Sequence, residues 1–485
     1  MLEKLFKLKE NKTNVRTELV AGLTTFMTMA YIIALNPNLL TDFRNAEIAQ
    51  SNELWNGVFL ATCIASAIGM FVMAFAANKP FAMAPGMGLN AFFYAVVLSI
   101  SESKKMSFVS AFQAMLCVIL IEGIVFIILS VLNVREKIVD AIPLGVRLGI
   151  APAIGMMLMN IGLGSNKGIY YFDSEQDALV GPFYAMRDFF GSLTAGMAKD
   201  TMHSGYPEMV LTVATMFIGL FVIVVLAKKG VKAAVLLGML AASVINWAGQ
   251  AIFLKTNPFE ALTTSSFVPP VKDMAETTLF KFNFSGFAQI GWFTVVTLVV
   301  TFCIIDMFDT IGTLVGTASR AGMLDKDGKM PKMKEALLAD AVGTVVGSAT
   351  GTSTVTTFVE SASGVEAGGR TGLTALTTGI IFLLCTFISP IAAVIPAAAT
   401  SSALIYVGVL MITGLKNVNF DDLSETVPVA LMLIAMPVSG SIGHAIGIGL
   451  IAYTVIKLFT GKAKDISVLT YILSLIFLVK FFLVA

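Results

Sequence analysis

Between Ser107 and Leu132 the chain carries a single charged side chain, Glu122. A helix of that length crosses the hydrocarbon core of a bilayer, which takes about 20 apolar residues. Stretches of the same kind recur near 19–36, 56–77, 82–98, 107–132, 143–163, 207–227, 231–250, 287–313, 336–350, 353–366, 371–390, 396–415, 425–438 and 441–459. A last apolar stretch, 466–485, contains Lys480 and reads as an extra span or as a helix lying at the interface. The composition agrees: 56% of the 485 residues are hydrophobic and 13% are charged. That charged share is about half of what a soluble domain carries. The expected fold class is therefore an all-α polytopic membrane protein of about 14 spans. The net charge of +1 offers no phosphate-binding field, so a nucleic-acid partner is excluded.

Cofactor and metal chemistry find little support. Cys63, Cys117, Cys303 and Cys385 all lie inside apolar segments without paired spacing, and His203 and His444 are far apart. They read as packing residues, and no cofactor is called for. No nucleophile elbow or phosphate loop appears, so the chain does not read as an enzyme. The charged start, Met1 to Leu19, has no apolar run before a small-residue cleavage site and does not read as a signal peptide.

Lysine and arginine set the orientation. They gather at the N-terminus (Lys4, Lys7, Lys9, Lys12, Arg16) and after even-numbered spans: Arg135 and Lys137; Lys228, Lys229 and Lys232; Arg320, Lys326, Lys329, Lys332 and Lys334; Lys457, Lys462 and Lys464. This places the N-terminus in the cytoplasm of a cell-membrane protein. The long segments 165–206 and 251–286 then fall outside. They also divide the chain into two groups of about seven spans, and an odd-numbered unit repeated once must be inverted.

Spans 3 and 10 occupy equivalent places in the two halves, and both are broken. Span 3 contains Ala84-Pro85-Gly86-Met87-Gly88-Leu89-Asn90. Span 10 opens with the β-branched run Thr352-Ser353-Thr354-Val355-Thr356-Thr357 before Phe358, Val359 and Glu360. Non-helical backbone at membrane depth survives only where it lines a protein-enclosed cavity. Interrupted segments at matching positions point to a central binding site.

Polar side chains near these breaks are the candidates. Asp306, Asp309 and Thr313 share a face of span 8 at spacings of three and four residues. Carboxylates at this depth face an interior or a wet cavity, and such groups mark substrate and proton pathways. Glu360 stands where a half-helix should begin, with free backbone N–H groups pointing inward. It is expected to accept from a ligand N–H and to carry a proton. Asn90 offers donor and acceptor together, and Phe358 could stack on a planar ligand. Glu122 and Asp340 read as scaffold or gating contacts. Gly312 and Gly316 are spaced as in a close helix contact. Arg16 and Glu18 read as interfacial anchors.

At these motifs the sequence resembles the AzgA-like purine permeases, a branch of the nucleobase–cation symporters. The resemblance covers nearly the whole chain. It is carried by Arg16-Thr17-Glu18-Leu19-Val20-Ala21-Gly22-Leu23-Thr24-Thr25-Phe26, by Gly86 to Phe93, by Phe308-Asp309-Thr310-Ile311-Gly312-Thr313, and by Thr357 to Thr374. It implies the UraA-type fold: two inverted seven-span repeats, with short strands in spans 3 and 10. It implies a core domain of 1–133 and 287–392, a gate domain of 134–286 and 393–465, and a C-terminal hydrophobic helix at 466–485. It implies proton-coupled import of adenine, guanine or hypoxanthine by alternating access, and a homodimer in the lipid bilayer; the expected substrates are hypoxanthine and guanine, with an adenine-preferring permease as the alternative. The family's substrate positions match Asn90, a span 8 aspartate and Glu360. Asp309, before the x-x-Gly element, is preferred over Asp306. Phe26 and Thr28 would add contacts from span 1, and Ala91, Thr313, Phe358 and Ser361 complete the candidate set. Glu360 and Asp309 would couple the proton. An anion transporter or channel of the same fold is the rival, disfavoured by acidic residues at the site.

Overall fold

The computed structural model describes residues 2–41, 53–132, 142–164, 171–173, 178–180, 206–259, 262, 266–320, 322–323, 330–439 and 442–483. The first half contains α1 (Leu2–Phe6), α2 (Val15–Met29), α3 (Ile32–Leu40), α4 (Glu53–Val72), β1 (Met83–Pro85), α5 (Met87–Lys104), α6 (Phe108–Val131), α7 (Leu144–Gly164), β2 (Tyr171–Asp173), β3 (Ala178–Val180), α8 (Tyr206–Lys228) and α9 (Ala234–Gly249). The second half contains α10 (Val271–Thr277), α11 (Phe284–Ile290), α12 (Trp292–Arg320), α13 (Met333–Thr350), β4 (Val355–Thr357), α14 (Ser361–Glu366), α15 (Gly372–Leu384), α16 (Ser389–Ala393), α17 (Ala397–Ile412), α18 (Leu423–Ser439), α19 (Ile442–Phe459) and α20 (Val468–Leu483).

Among the described residues nine helices are long and apolar enough to cross a membrane. The expected spans outside that set are short or broken ones. Span 3 is β1 followed by α5, and span 10 is β4 followed by α14. Spans 9, 13 and 14 are α13, α18 and α19. Span 1 is longer than expected and bends between α2 and α3. Span 8 starts later, at Trp292, because Gly291 adopts a φ of +92° and separates α11 from α12. The tail forms α20, which packs on α19. Apart from the β2–β3 hairpin, the segment 165–206 lies outside the described residues up to Tyr206, as do Arg135, Lys137, Lys326 and Lys329.

The two strands form where helix is locally disfavoured. Pro80 and Pro85 bracket residues 81–84. A proline removes a donor and pushes the residue before it toward extended backbone. In the other half, Gly351 ends α13 at a φ of +109°. The β-branched residues that follow favour a strand. β1 and β4 pair antiparallel, with Met83 opposite Thr357, Ala84 opposite Thr356 and Pro85 opposite Val355. The pairing continues through Gly86 N–H to Thr354 O at 3.1 Å and Phe358 N–H to Ala82 O at 2.9 Å. Every residue of both strands is buried.

Helices α4, α6 and α13 pack around this crossing, with α15 and α2 against them. α10 and α11 lie over α4 and α6, held by Asn56 Nδ2 to Asp273 Oδ2 at 2.7 Å and Gln113 Nε2 to Thr277 O at 2.9 Å. A second group consists of α7, α17, α18 and α19 with α8 and α9. Its central contact is reciprocal. A Cβ built at Gly155 meets Gly408 O at 2.5 Å, and one built at Gly408 meets Gly155 O at 2.6 Å. Such small-residue contacts let membrane helices approach backbone to backbone.

Candidate functional site

The crossing of β1 and β4 brings together side chains from four segments. Glu360 follows β4 and sits at the N-cap of α14. It is half-buried, and its Oε1 accepts from the Tyr31 hydroxyl at 2.7 Å. Tyr31 itself is 1% exposed and occupies the bend between α2 and α3. Asp309, on α12, is also half-buried. Its Oδ2 lies 3.6 Å from a Cβ built at Gly86, the residue that caps α5. A carboxylate there is favoured by the positive end of the helix.

Asp306 behaves differently. It is fully buried, and its Oδ1 takes a bond from Thr310 Oγ1 at 3.1 Å. The same Thr310 hydroxyl stands 2.8 Å from Asp340 Oδ1 and 2.5 Å from Thr356 Oγ1 on β4. Glu122 meets the strand from the α6 side, where Thr354 Oγ1 donates to its Oε2 at 2.6 Å. These three carboxylates, Asp306, Asp340 and Glu122, are spliced into the scaffold of β4.

Asn90 is fully buried on α5. Its Oδ1 accepts from Ser353 Oγ, and its Nδ2 donates to Pro85 O at 3.2 Å. The amide therefore bonds both broken spans to each other. Ser361 Oγ accepts from Ala82 N–H at 2.9 Å, and Phe358, three residues earlier and buried, donates its N–H to Ala82 O, so both are used within the crossing. Thr28 donates to Thr25 O at 2.8 Å, and Phe26 stands edge-on to Phe382 with ring centroids 5.6 Å apart. Ala91 is buried, and Thr313 is half-buried one turn along α12 from Asp309.

The N-terminus of α14 is not open. Ser361 N–H bonds to Phe358 O at 3.1 Å, Ala362 N–H to Val359 O at 3.0 Å and Ser363 N–H to Glu360 O at 3.0 Å. The free donors expected there are consumed by a tight first turn. The first N–H groups of α5, at Met87, Gly88 and Leu89, have no acceptor within their own helix. The first turns of the two half-helices are therefore satisfied differently.

Comparison with known proteins decides the family. The sequence pattern of the Permease family matches residues 16–187 and 185–448. The chain belongs to this family. The permease is 38% identical over 480 residues to a putative permease of Methanocaldococcus jannaschii, covering 99% of this chain and 98% of the relative. It is 36% identical over 482 residues to the guanine/hypoxanthine permease PbuO of Bacillus subtilis, covering 99% and 100%. It is 35% identical over 480 residues to the adenine permease AdeP of Escherichia coli, covering 99% and 96%. Among solved structures, the transmembrane domain of a cyanobacterial bicarbonate transporter, BicA, superimposes with a TM-score of 0.60 at 17% identity, over 91% of this chain and 97% of that one. The murine Slc26a9 anion transporter, in an inward-facing state, gives 0.59 at 11% identity, over 92% and 68%. These two share the fold. The permease is a multi-pass membrane transporter, not an enzyme.

Two features of the permease were hidden in its sequence. Tyr31 reads as an ordinary apolar-span aromatic, and only the fold carries it to Glu360, 329 residues away. Glu18 is not an interfacial anchor but is fully buried. It accepts from Arg370 N–H at 2.8 Å, Thr374 N–H at 3.2 Å and Thr374 Oγ1 at 2.6 Å, and so caps the start of α15. The glycine pair on span 8 also needs correction. Among the described residues a Cβ at Gly312 meets nothing within 4 Å, so no described helix packs on it.

Proposed function

We propose that the permease imports purine nucleobases together with protons, preferring hypoxanthine and guanine. The observation that carries this reading is the pair of half-buried carboxylates at the crossing, Glu360 after β4 and Asp309 beside Gly86 at the N-terminus of α5. Ionised carboxylates only accept hydrogen bonds. A 6-oxopurine presents N–H groups for such acceptors and a carbonyl for the α5 donors. A phosphate, sulfate or bicarbonate presents negative charge and is repelled there. The similarity to named guanine/hypoxanthine and adenine permeases over the whole chain supports the purine class.

In this reading Glu360 and Asp309 bind the N–H edges and exchange the coupling proton, while Asn90 keeps the two broken spans in register. The helices around β1 and β4, within 1–133 and 287–392, form the moving core. Those of 134–286 and 393–465 form the gate, and relative motion exposes the site alternately. The N-terminus faces the cytoplasm of the cell membrane, in keeping with its lysines.

Labelled hypoxanthine uptake into proteoliposomes, with and without an inside-alkaline gradient, tests the proposal. Gradient-driven uptake that guanine suppresses and sulfate does not is expected. Uptake blocked first by adenine reverses the substrate order. Uptake indifferent to the gradient removes the proton from the mechanism.

A further inference from the structure

α3 packs against α4, α5 and β1 and hydrogen-bonds span 10 on both sides of β4. At the start of α3, Tyr31 donates to Glu360 Oε1 at 2.7 Å. Further along, Asn36 donates from Nδ2 to Thr352 Oγ1 at 2.9 Å and to Thr62 Oγ1 of α4 at 2.8 Å. Thr352 and Glu360 stand three positions outside β4 on either side. The Tyr31 and Asn36 side chains are buried, at 1% and 0% exposure, so water does not replace either bond. α3 is a splint for β4, fixed to α4 at one end and to the half-open carboxylate at the other.

We propose that Tyr31 is the positioning residue that holds Glu360 for the ligand. A tyrosine hydroxyl has one proton to donate, and here it is spent on Oε1. That bond fixes the carboxylate's direction and leaves Oε2 for a ligand N–H. Through Asn36 and Thr62 the same helix ties the position of Glu360 to span 2. The proposal rests on the reading of Glu360 as a ligand contact.

Binding of tritiated hypoxanthine to the purified full-length permease, with uptake kinetics in proteoliposomes, tests it. Tyr31→Phe is expected to weaken binding about tenfold, the low end for losing a hydrogen bond to a charged group. KM rises with it, while kcat stays within about twofold, because uniform binding is what is lost. A fall in kcat at unchanged KM, or wild-type affinity, overturns the proposal and leaves the purine reading standing. No purine binding by the unsubstituted protein overturns both. Glu360→Asp gives an independent arm should Tyr31→Phe fail to fold. It keeps the charge but withdraws the carboxylate from Tyr31 by about one C–C bond, roughly 1.5 Å. It is expected to match the loss in Tyr31→Phe, and full affinity in Glu360→Asp overturns the proposal.

Discussion

The two broken spans are equivalent by position and unlike in chemistry. In span 3 the strand β1 leads into a long helix, α5, whose first N–H groups have no acceptor within the helix and whose polar side chain, Asn90, is turned into the scaffold. In span 10 the strand β4 leads into a short helix, α14, whose first N–H groups are closed by its own tight turn and whose polar side chain, Glu360, stands half-open. One break presents backbone donors and the other a side-chain acceptor. A ligand with a carbonyl and an N–H on its rim is complementary to the pair, not to either break alone. The crossing therefore offers two kinds of contact.

The sharpest way to break this contrast is to neutralise the acceptor. Glu360→Gln is expected to lower purine affinity roughly 10- to 150-fold, the worth of a hydrogen bond to a charged group. Thermal unfolding of the same variant in detergent should move little, because the amide still accepts from Tyr31. Affinity preserved together with a lower unfolding midpoint would make Glu360 a cap and return the acceptor role to another side chain.

The packing of α14 gives the next effect. A Cβ at Gly364 meets Ala21 O at 2.8 Å and collides with the Thr25 hydroxyl, both on α2. Gly364→Ala is expected to cost about 1–3 kcal/mol by overpacking and to push Glu360 away from Tyr31. Unfolding midpoint and purine affinity should therefore fall together. A loss of stability without a loss of affinity would uncouple α14 from the site.

Asn90→Ala probes the other break. It removes the acceptor of Ser353 and the donor to Pro85 O inside a fully buried cluster. Leaving such groups unpaired costs about 1–3 kcal/mol. The expected signature is the reverse of Glu360→Gln: a lower unfolding midpoint, with purine affinity reduced by less than the Glu360 variant shows. Loss of affinity at unchanged stability would instead make Asn90 a direct reader of the ligand.

Much of this was legible in the residues. Pro80 and Pro85 on one side, and the β-branched run from Thr352 on the other, announce two interruptions at membrane depth. Their pairing as β1 and β4 follows. The cost of burying charge marks Glu360, Asp306 and Asp309 before any fold is known. What the residues do not reveal is direction. Asp306 and Asp309 are one turn apart, yet one is absorbed by Thr310 and the other stands by Gly86. Glu18 sits at a span boundary and reads as an anchor, but its partner Thr374 is 356 residues away. Tyr31 has no local signal at all, because an aromatic in an apolar span is the commonest kind of packing residue. Contacts set by tertiary approach escape a reading built on local period and spacing.

Gly312 offers the smallest effect and a clean check of that last point. Its spacing from Gly316 suggests a helix contact, whereas among the described residues nothing lies within 4 Å of where its Cβ would stand. Glycine inside a helix costs roughly 0.5–1 kcal/mol relative to alanine when nothing packs on it. Gly312→Ala is therefore expected to raise the unfolding midpoint slightly. Gly312 is also exposed, on the helix that carries Asp309. If stability rises as expected while uptake falls, the empty space is one that the gate enters during the cycle, and the glycine is retained for motion. If uptake is unchanged, that face of α12 stays clear of the gate throughout, and the moving contact lies elsewhere around the crossing.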